Sequence, residues 1–385
     1  MDHPYRGQPA KAYWKQTVTP HHPQDVPDWY HKRFSLDGAR IATAGSCFAQ
    51  HLGRNLREKG FNYLDVEPAP PALPVEKRRD YGYELYSARY GNIYTSRQLV
   101  QLIQRAQGEF APLETHWEHE GGVVDPFRPT IEPEPYGSVA ELQILQKEHL
   151  ERVAEMLRKM DVFVFTMGMT EAWLSLEDGA AFPLCPGTAG GEYDDGKYRF
   201  HNLNSAEVRA DMEASISTLR AINPDLKILL TVSPVAIMAT ATDKQVAVAN
   251  AYSKSLLRTI AGELHDAHDF IDYFPSYEMV TAPFMKGYFL APTQREIVPA
   301  GVEFVMKHFM AQHRPPIGAA GDGVAGAPAQ PIKARPLPTR PAPGETPAAK
   351  PAAAEAQPGS AEEALALDDV KCDEELLDAF GKPDP

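Results

Sequence analysis

Arg40-Ile41-Ala42-Thr43-Ala44-Gly45-Ser46-Cys47-Phe48-Ala49 is the stretch that decides the fold. Residues 40–44 form a short apolar run that reads as a buried strand. Residues 48–56, Phe48-Ala49-Gln50-His51-Leu52-Gly53-Arg54-Asn55-Leu56, carry apolar positions at helical spacing. A strand that ends at Gly-Ser and opens a helix sets the serine hydroxyl at a helix N-terminus. There the free backbone N–H groups and the dipole favour developing negative charge. That position suits a serine nucleophile whose tetrahedral intermediate carries an oxyanion. It also suits an N-cap, a purely structural use of serine.

Outward from this unit the alternation continues. Residues 61–64 read as a second strand, and the proline-rich residues 67–73 as a loop. Residues 96–107 read as a helix with Leu99, Leu102 and Ile103 on one face. Residues 139–159 read as a longer one with Leu142, Leu145, Leu150, Val153 and Leu157 in register. Asp161-Val162-Phe163-Val164-Phe165-Thr166 is continuously apolar after its first residue, the pattern of a central parallel strand buried on both faces. A glycine-containing turn leads from it to Thr170-Glu171, and residues 177–199 read as one long Gly, Pro and Asp-rich loop. Helices are expected over 205–223, 244–265 and 300–312, with strands over 227–232 and 270–273. Strands alternating with helices of this length imply parallel βαβ units with helices on both faces of one sheet. Sites in such sheets form beyond the carboxyl ends of the strands. Ser46, residues 168–171 and Ser233-Pro234 each follow a predicted strand, so they converge on one edge.

Composition narrows the function. The chain has 385 residues, a net charge of -14 and a pI near 5.4, which argues against a generic nucleic-acid binder. Cys47, Cys185 and Cys372 are scattered without a CxxC pair, which points to a reducing compartment. No secretory signal or long apolar span is evident, so a soluble, cytoplasmic protein without a membrane span is expected. No GxxxxGK[ST] or GxGxxG motif supports nucleotide binding, and no cofactor or metal is expected. His116-Trp117-Glu118-His119 is the nearest approach to metal-ligand spacing and reads as an exposed loop.

Four regions divide the chain. Residues 1–35 read as an arm packed on the domain by Trp14, Trp29 and Tyr30. Residues 36–313 form the α/β domain. Residues 314–360 are a Pro/Ala-rich linker expected to be disordered. Residues 361–385 are an acidic tail in which Leu365, Leu367, Val370, Leu376, Leu377 and Phe380 are set among many carboxylates. That tail reads either as a short helix that binds a protein partner or as a solvated acidic end.

The pentapeptide Gly45-Ser46-Cys47-Phe48-Ala49 resembles the signature of the GSCFA family, which is related to the SGNH (GDSL-type) hydrolases. Gly91-Asn92-Ile93-Tyr94, residues 167–173, Thr231-Val232-Ser233-Pro234-Val235 and residues 273–278 fit the same resemblance in order, so it covers roughly residues 35–312. It implies a three-layer α/β/α, flavodoxin-like fold with a mainly parallel sheet. It also implies acyl-transfer chemistry with Ser46 as nucleophile and the Ser46 N–H, Gly91 and Asn92 as oxyanion donors. Gly91-Asn92 is also an ordinary turn pair. Thr170 stands where the superfamily usually has an asparagine, and Glu171 beside it is placed to orient a base; Thr170 as a turn cap is the structural alternative. SGNH hydrolases carry Asp-x-x-His before the final helix. Here Thr293 and Glu296 occupy those positions, and no histidine lies in that loop.

The base therefore has to come from elsewhere. Glu296 qualifies only with a raised pKa, and His201 qualifies only if its loop reaches the site. Arg295 is a candidate for binding an anionic substrate. His51 reads as pointing away from the site, and Cys47 as a small inward-packing residue. His265, His268 and His308 read as structural. Two main functions follow, beside a thiol enzyme that requires Cys47 in place of Ser46 to face the cleft. One is a serine esterase or acyl transferase acting on an O-acyl group, most simply acetyl, of a carbohydrate or similar polar substrate; Trp173, Tyr277 and Tyr288 are candidate sugar-stacking surfaces. The other is a catalytically degenerate module that keeps the cleft and binds a glycan or protein.

Overall fold

The computed structural model describes residues 3–313 and 370–381. A short helix α1 (Trp14–Thr17) precedes strand β1 (Ile41–Gly45) and helix α2 (Phe48–Glu58). Helix α3 (Ser96–Gln107) follows, then a hairpin of β2 (Trp117–His119) and β3 (Gly122–Val124), and helix α4 (Val139–Lys159). Strand β4 (Val162–Met167) leads into β5 (Glu171–Ser175), β6 (Ala181–Phe182) and β7 (Tyr198–Asn202). The chain closes with α5 (Ser205–Ile222), β8 (Lys227–Val232), α6 (Val246–Ala267), β9 (Ile271–Tyr273), α7 (Ser276–Thr281) and α8 (Pro299–Gln312). A 3₁₀ helix, Asp373–Gly381, is the last described element.

The main sheet has the order β1-β4-β8-β9, and all of its strands are parallel. Alternating residues of each strand feed two cores. Phe163, Phe165, Ile228 and Leu230 pack with α3, α4, α5 and α6 on one face. Ile41, Val162, Val164 and Leu229 pack with α2, α7 and α8 on the other. The result is the expected three-layer α/β/α architecture, and burial on both faces explains the unbroken apolar runs in β4 and β8.

Residues 61–64 do not form a full strand. Asn62 O and the Leu64 N–H pair with Ile41, and Tyr63 bridges Ile41 in parallel on the outer side of β1. Counting that bridge, the strands run 2-1-3-4-5, the doubly wound order whose switch point lies between β1 and β4.

Other expectations are corrected. Residues 177–199 hold β6 and the first residues of β7, and Glu171 starts β5. These three strands form a separate antiparallel sheet, β6-β5-β7, around Trp117, Phe182 and Tyr198. The segment read as an exposed loop at residues 116–119 contains β2, whose Trp117 is buried. In the N-terminal arm Tyr30 is buried and hydrogen-bonded to Asp272, and Trp29 stacks on Phe284. Trp14 is exposed, touching only Phe284 among the described aromatic rings. The 314–360 linker lies outside the described residues. No described helix is long and apolar enough to cross a membrane.

Candidate active site

The site is built from the loops at the carboxyl ends of β1 and β4, the crevice where the strand order reverses. Gly45 ends β1 with φ +135°, and a Cβ there would fall 2.3 Å from Thr166 O, so the approach of β1 to β4 requires glycine. The Ser46 N–H continues the β1–β4 pairing by donating to Thr166 O at 3.1 Å. Its carbonyl accepts from the Ala49 N–H at 2.8 Å and so starts α2. That bond to Thr166 takes up the Ser46 N–H expected as an oxyanion donor.

Ser46 is only 3% exposed, and its Oγ is buried with no hydrogen-bond partner. It is not a cap: the N-cap position of α2 is Cys47, which makes no side-chain capping bond. A buried hydroxyl left unpaired costs about 1–3 kcal/mol, so the structure carries Ser46 at a loss that capping does not explain. Gly168 faces it. A Cβ on Gly168 would lie 3.0 Å from Ser46 Cβ and 3.0 Å from Tyr94 O.

Two side-chain amides stand over this turn. Gly91, in the left-handed region at φ +67°, delivers Asn92, whose Oδ1 accepts from Gln50 Nε2 and from the Tyr86 hydroxyl. Tyr86 also donates to Ser46 O at 3.2 Å, which ties the amides to the serine. Gln50 Nε2 at 2.7 Å and Asn92 Nδ2 at 3.1 Å both donate to one carbonyl oxygen, that of Lys371. A pair of donors converging on one oxygen is the arrangement an oxyanion requires.

Lys254, on α6, is fully buried. Its Nζ donates to Gly168 O at 2.6 Å, on the glycine that faces Ser46. Burial pushes its pKa down to about 8 against the pull of Glu374. Arg295 lies across the site with Nη2 3.4 Å from both Glu374 and Cys372. Burial works against its charge, but Cys372 and Glu374 beside it hold its pKa up. The Cys47 thiol is raised by its hydrogen bond with Cys372 and by burial, whereas Cys372 is lowered by that same bond and by Arg295. Of the two thiols, Cys47 is the harder to ionise.

The remaining candidates divide by location. Glu296 lines a small cavity with Cys47, His51, Arg295 and Cys372, and it accepts bonds from Thr293 Oγ1 and Arg295. His51 thus lines this cavity beside Cys47. Thr170 is fully buried, with its hydroxyl on Asn202 and its N–H on Ser253. Glu171 accepts from Thr240 and the Ala241 N–H, and burial raises its pKa. His201 sits on β7 with Nε2 2.7 Å from Glu207, the residue that completes the capping box of α5. None of Thr170, Glu171, His201, Glu296 and Lys254 hydrogen-bonds Ser46 Oγ. Trp173 packs in the small sheet against Tyr193 and Phe200, Tyr277 against the main core, and Tyr288 against His22. Among the described residues no cluster of His, Cys, Asp or Glu is arranged to hold a metal.

Sequence reading missed Gln50, Lys254 and residues 371–374. For Lys254 a signal existed: it falls on the inward stripe of its helix with Asn250, Leu257 and Ala261, where a lysine is out of place. For Gln50 the signal was weak, since any polar residue on the first turn of α2 reads as exposed. No curated protein matches the chain. The model of the GSCFA family matches residues 40–309, more than half of the sequence, and the chain belongs to that family.

Proposed function

We propose that the chain is an SGNH-like serine esterase or acyl transferase with Ser46 as nucleophile. The observation that carries this reading is the buried, unpartnered Ser46 Oγ at the switch point of the sheet, beside two amides that converge on a carbonyl oxygen. In the proposed sequence Ser46 Oγ attacks the ester carbonyl and its proton passes to the neutral amine of Lys254. The oxygen of the tetrahedral intermediate takes the place that the Lys371 carbonyl holds between Gln50 and Asn92. The intermediate expels the alcohol, which leaves with the proton from Lys254, and water or an acceptor hydroxyl then takes the acyl group from Ser46. A lysine with a pKa near 8 is neutral often enough near neutral pH to act as this base once the serine hydroxyl, unpartnered here, turns to it. The proposed substrate carries a small acyl group, acetyl first, on a carbohydrate or similar polar alcohol, with Arg295 at the side of the site. A cytoplasmic location fits the scattered free thiols.

A second reading is favoured by one observation: residues of the chain's own tail fill the cleft, as a pure binding module would hold a ligand. Labelling with a fluorophosphonate and hydrolysis of p-nitrophenyl acetate decide between them. Both are expected in the wild type, both are lost in Ser46→Ala, and Lys254→Met lowers turnover at least 100-fold. Folded protein that is indistinguishable from Ser46→Ala both with its tail intact and with Asp373 and Glu374 replaced by alanine would leave the binding module.

A further inference from the structure

The described part of the acidic tail is inserted the opposite way round from an amphipathic docking helix. Two of its four described acids, Asp373 and Glu374, are inside, while Leu376 and Phe380 are outside. Asp373 and Glu374 are each 7% exposed, whereas Phe380 is 68% and Leu376 41% exposed. Burying two carboxylates is unfavourable unless each finds matched donors. Here both do. Asp373 accepts from Asn92 Nδ2 at 2.8 Å and from the Thr130 hydroxyl, and its N–H donates to the Tyr94 hydroxyl at 3.2 Å. Glu374 accepts from the Met238 N–H at 3.2 Å and lies 3.4 Å from Arg295, with buried Lys254 adding positive potential. Lys371 is fixed at both ends: its N–H donates to Gln50 Oε1, its carbonyl takes the two amides, and its Nζ reaches the carbonyls of Asp80 and Thr130. Main-chain and side-chain groups of four consecutive residues are thus read by partners more than 70 residues away in sequence.

We propose that the cleft over Ser46 is a binding site for an acidic peptide, and that its resident ligand is the chain's own Lys371-Cys372-Asp373-Glu374. The selectivity lies in two carboxylate seats, one at Asn92 and Thr130 and one at Arg295 and the Met238 N–H. The peptide carbonyl of Lys371 occupies the seat between Gln50 and Asn92. Because the ligand is covalently joined to the domain, even a weak intrinsic affinity keeps the cleft filled. The inference rests on the acyl-transfer reading only for its consequence: the tail and an acyl substrate compete for the same amides.

The test uses the full-length chain. Asp373→Ala combined with Glu374→Ala empties the seats without touching the domain. A fluorescent synthetic peptide copying residues 370–381 is then titrated, under reducing conditions, into this variant and into the wild type, and followed by anisotropy. The expected result is binding to the variant at least 10-fold tighter than to the wild type, whose own tail competes. A control peptide carrying Asn and Gln in place of the two acids is expected to bind the variant at least 10-fold more weakly. Equal affinity for the acid and amide peptides, equal affinity for variant and wild type, or no binding of either peptide overturns the proposal. Fluorophosphonate labelling of the same proteins separates the two readings. Peptide binding accompanied by faster labelling of the variant upholds both. Peptide binding with no labelling in any protein upholds the peptide site and overturns acyl transfer.

Discussion

Gly45 and Ser46 divide the work of one turn. Gly45 lets β1 come against the Thr166 backbone, and Ser46 is the first side chain past the sheet edge. Replacing Gly45 with alanine forces a Cβ into a backbone atom at a φ that L-residues rarely adopt. Gly45→Ala is expected to cost about 2–4 kcal/mol, read as a lowered urea midpoint at unchanged slope; a loss under about 0.5 kcal/mol would show that the turn relaxes without penalty. At this scale the sequence was legible where chemistry is local. Ser46, Gly91 and Asn92 stand on one strand-end turn and one neighbouring loop, and Arg295 reaches the same crevice. Lys254, Gln50 and the tail carboxylates enter from separate elements, and no spacing rule in a single sequence says that three separate elements converge.

Among the elements, α5 shows how far local rules carry. Asn204 caps the helix by accepting from the Ala206 and Glu207 N–H groups, and Glu207 bonds back to the Asn204 N–H. Asn204→Ala is expected to destabilise the protein by about 1 kcal/mol, measured by chemical denaturation. His201 shares Glu207 with this cap, so His201→Ala is expected to move stability slightly and leave Ser46 labelling unchanged. Helices α3 to α6 and strands β4 and β8 were legible because they are long, periodic and buried. Strands β5, β6 and β7 were not. They are short, and β6 and the start of β7 interrupt a Gly-rich segment whose composition reads as loop; tertiary pairing with one another, not propensity, makes them strands.

For the molecule as a whole, buried titratable groups set the response to acid. His149 and Glu67 form a buried pair 2.8 Å apart. Burial and then Arg128 push the His149 pKa down to about 4; burial opposes ionisation of Glu67, but His149, Arg128 and the Arg89 N–H hold it down to about 2. Above pH 4 the ring is neutral, so at pH 7 Glu67 is kept ionised by Arg128 and by hydrogen bonds, not by a charged histidine. Unfolded, His149 returns to about 6.5 and Glu67 to about 4.5, and each then binds its proton before the native state does. Stability therefore falls as the pH drops, from about 6.5 to 4 through His149 and from about 4.5 to 2 through Glu67. The first window is worth about 3 kcal/mol. Urea midpoints across pH 7 to 4 are expected to decline, and His149→Gln is expected to flatten that decline; an unchanged slope would remove His149 as its cause. By itself the sequence determined the layered α/β fold, the place of Ser46 at its carboxyl edge and the lack of a histidine over residues 291–299, because periodicity and turn chemistry are local. Only the tertiary structure decided which groups surround Ser46 and that the acidic tail seats two carboxylates there, because burial, desolvation and donor geometry exist only once distant elements are packed together.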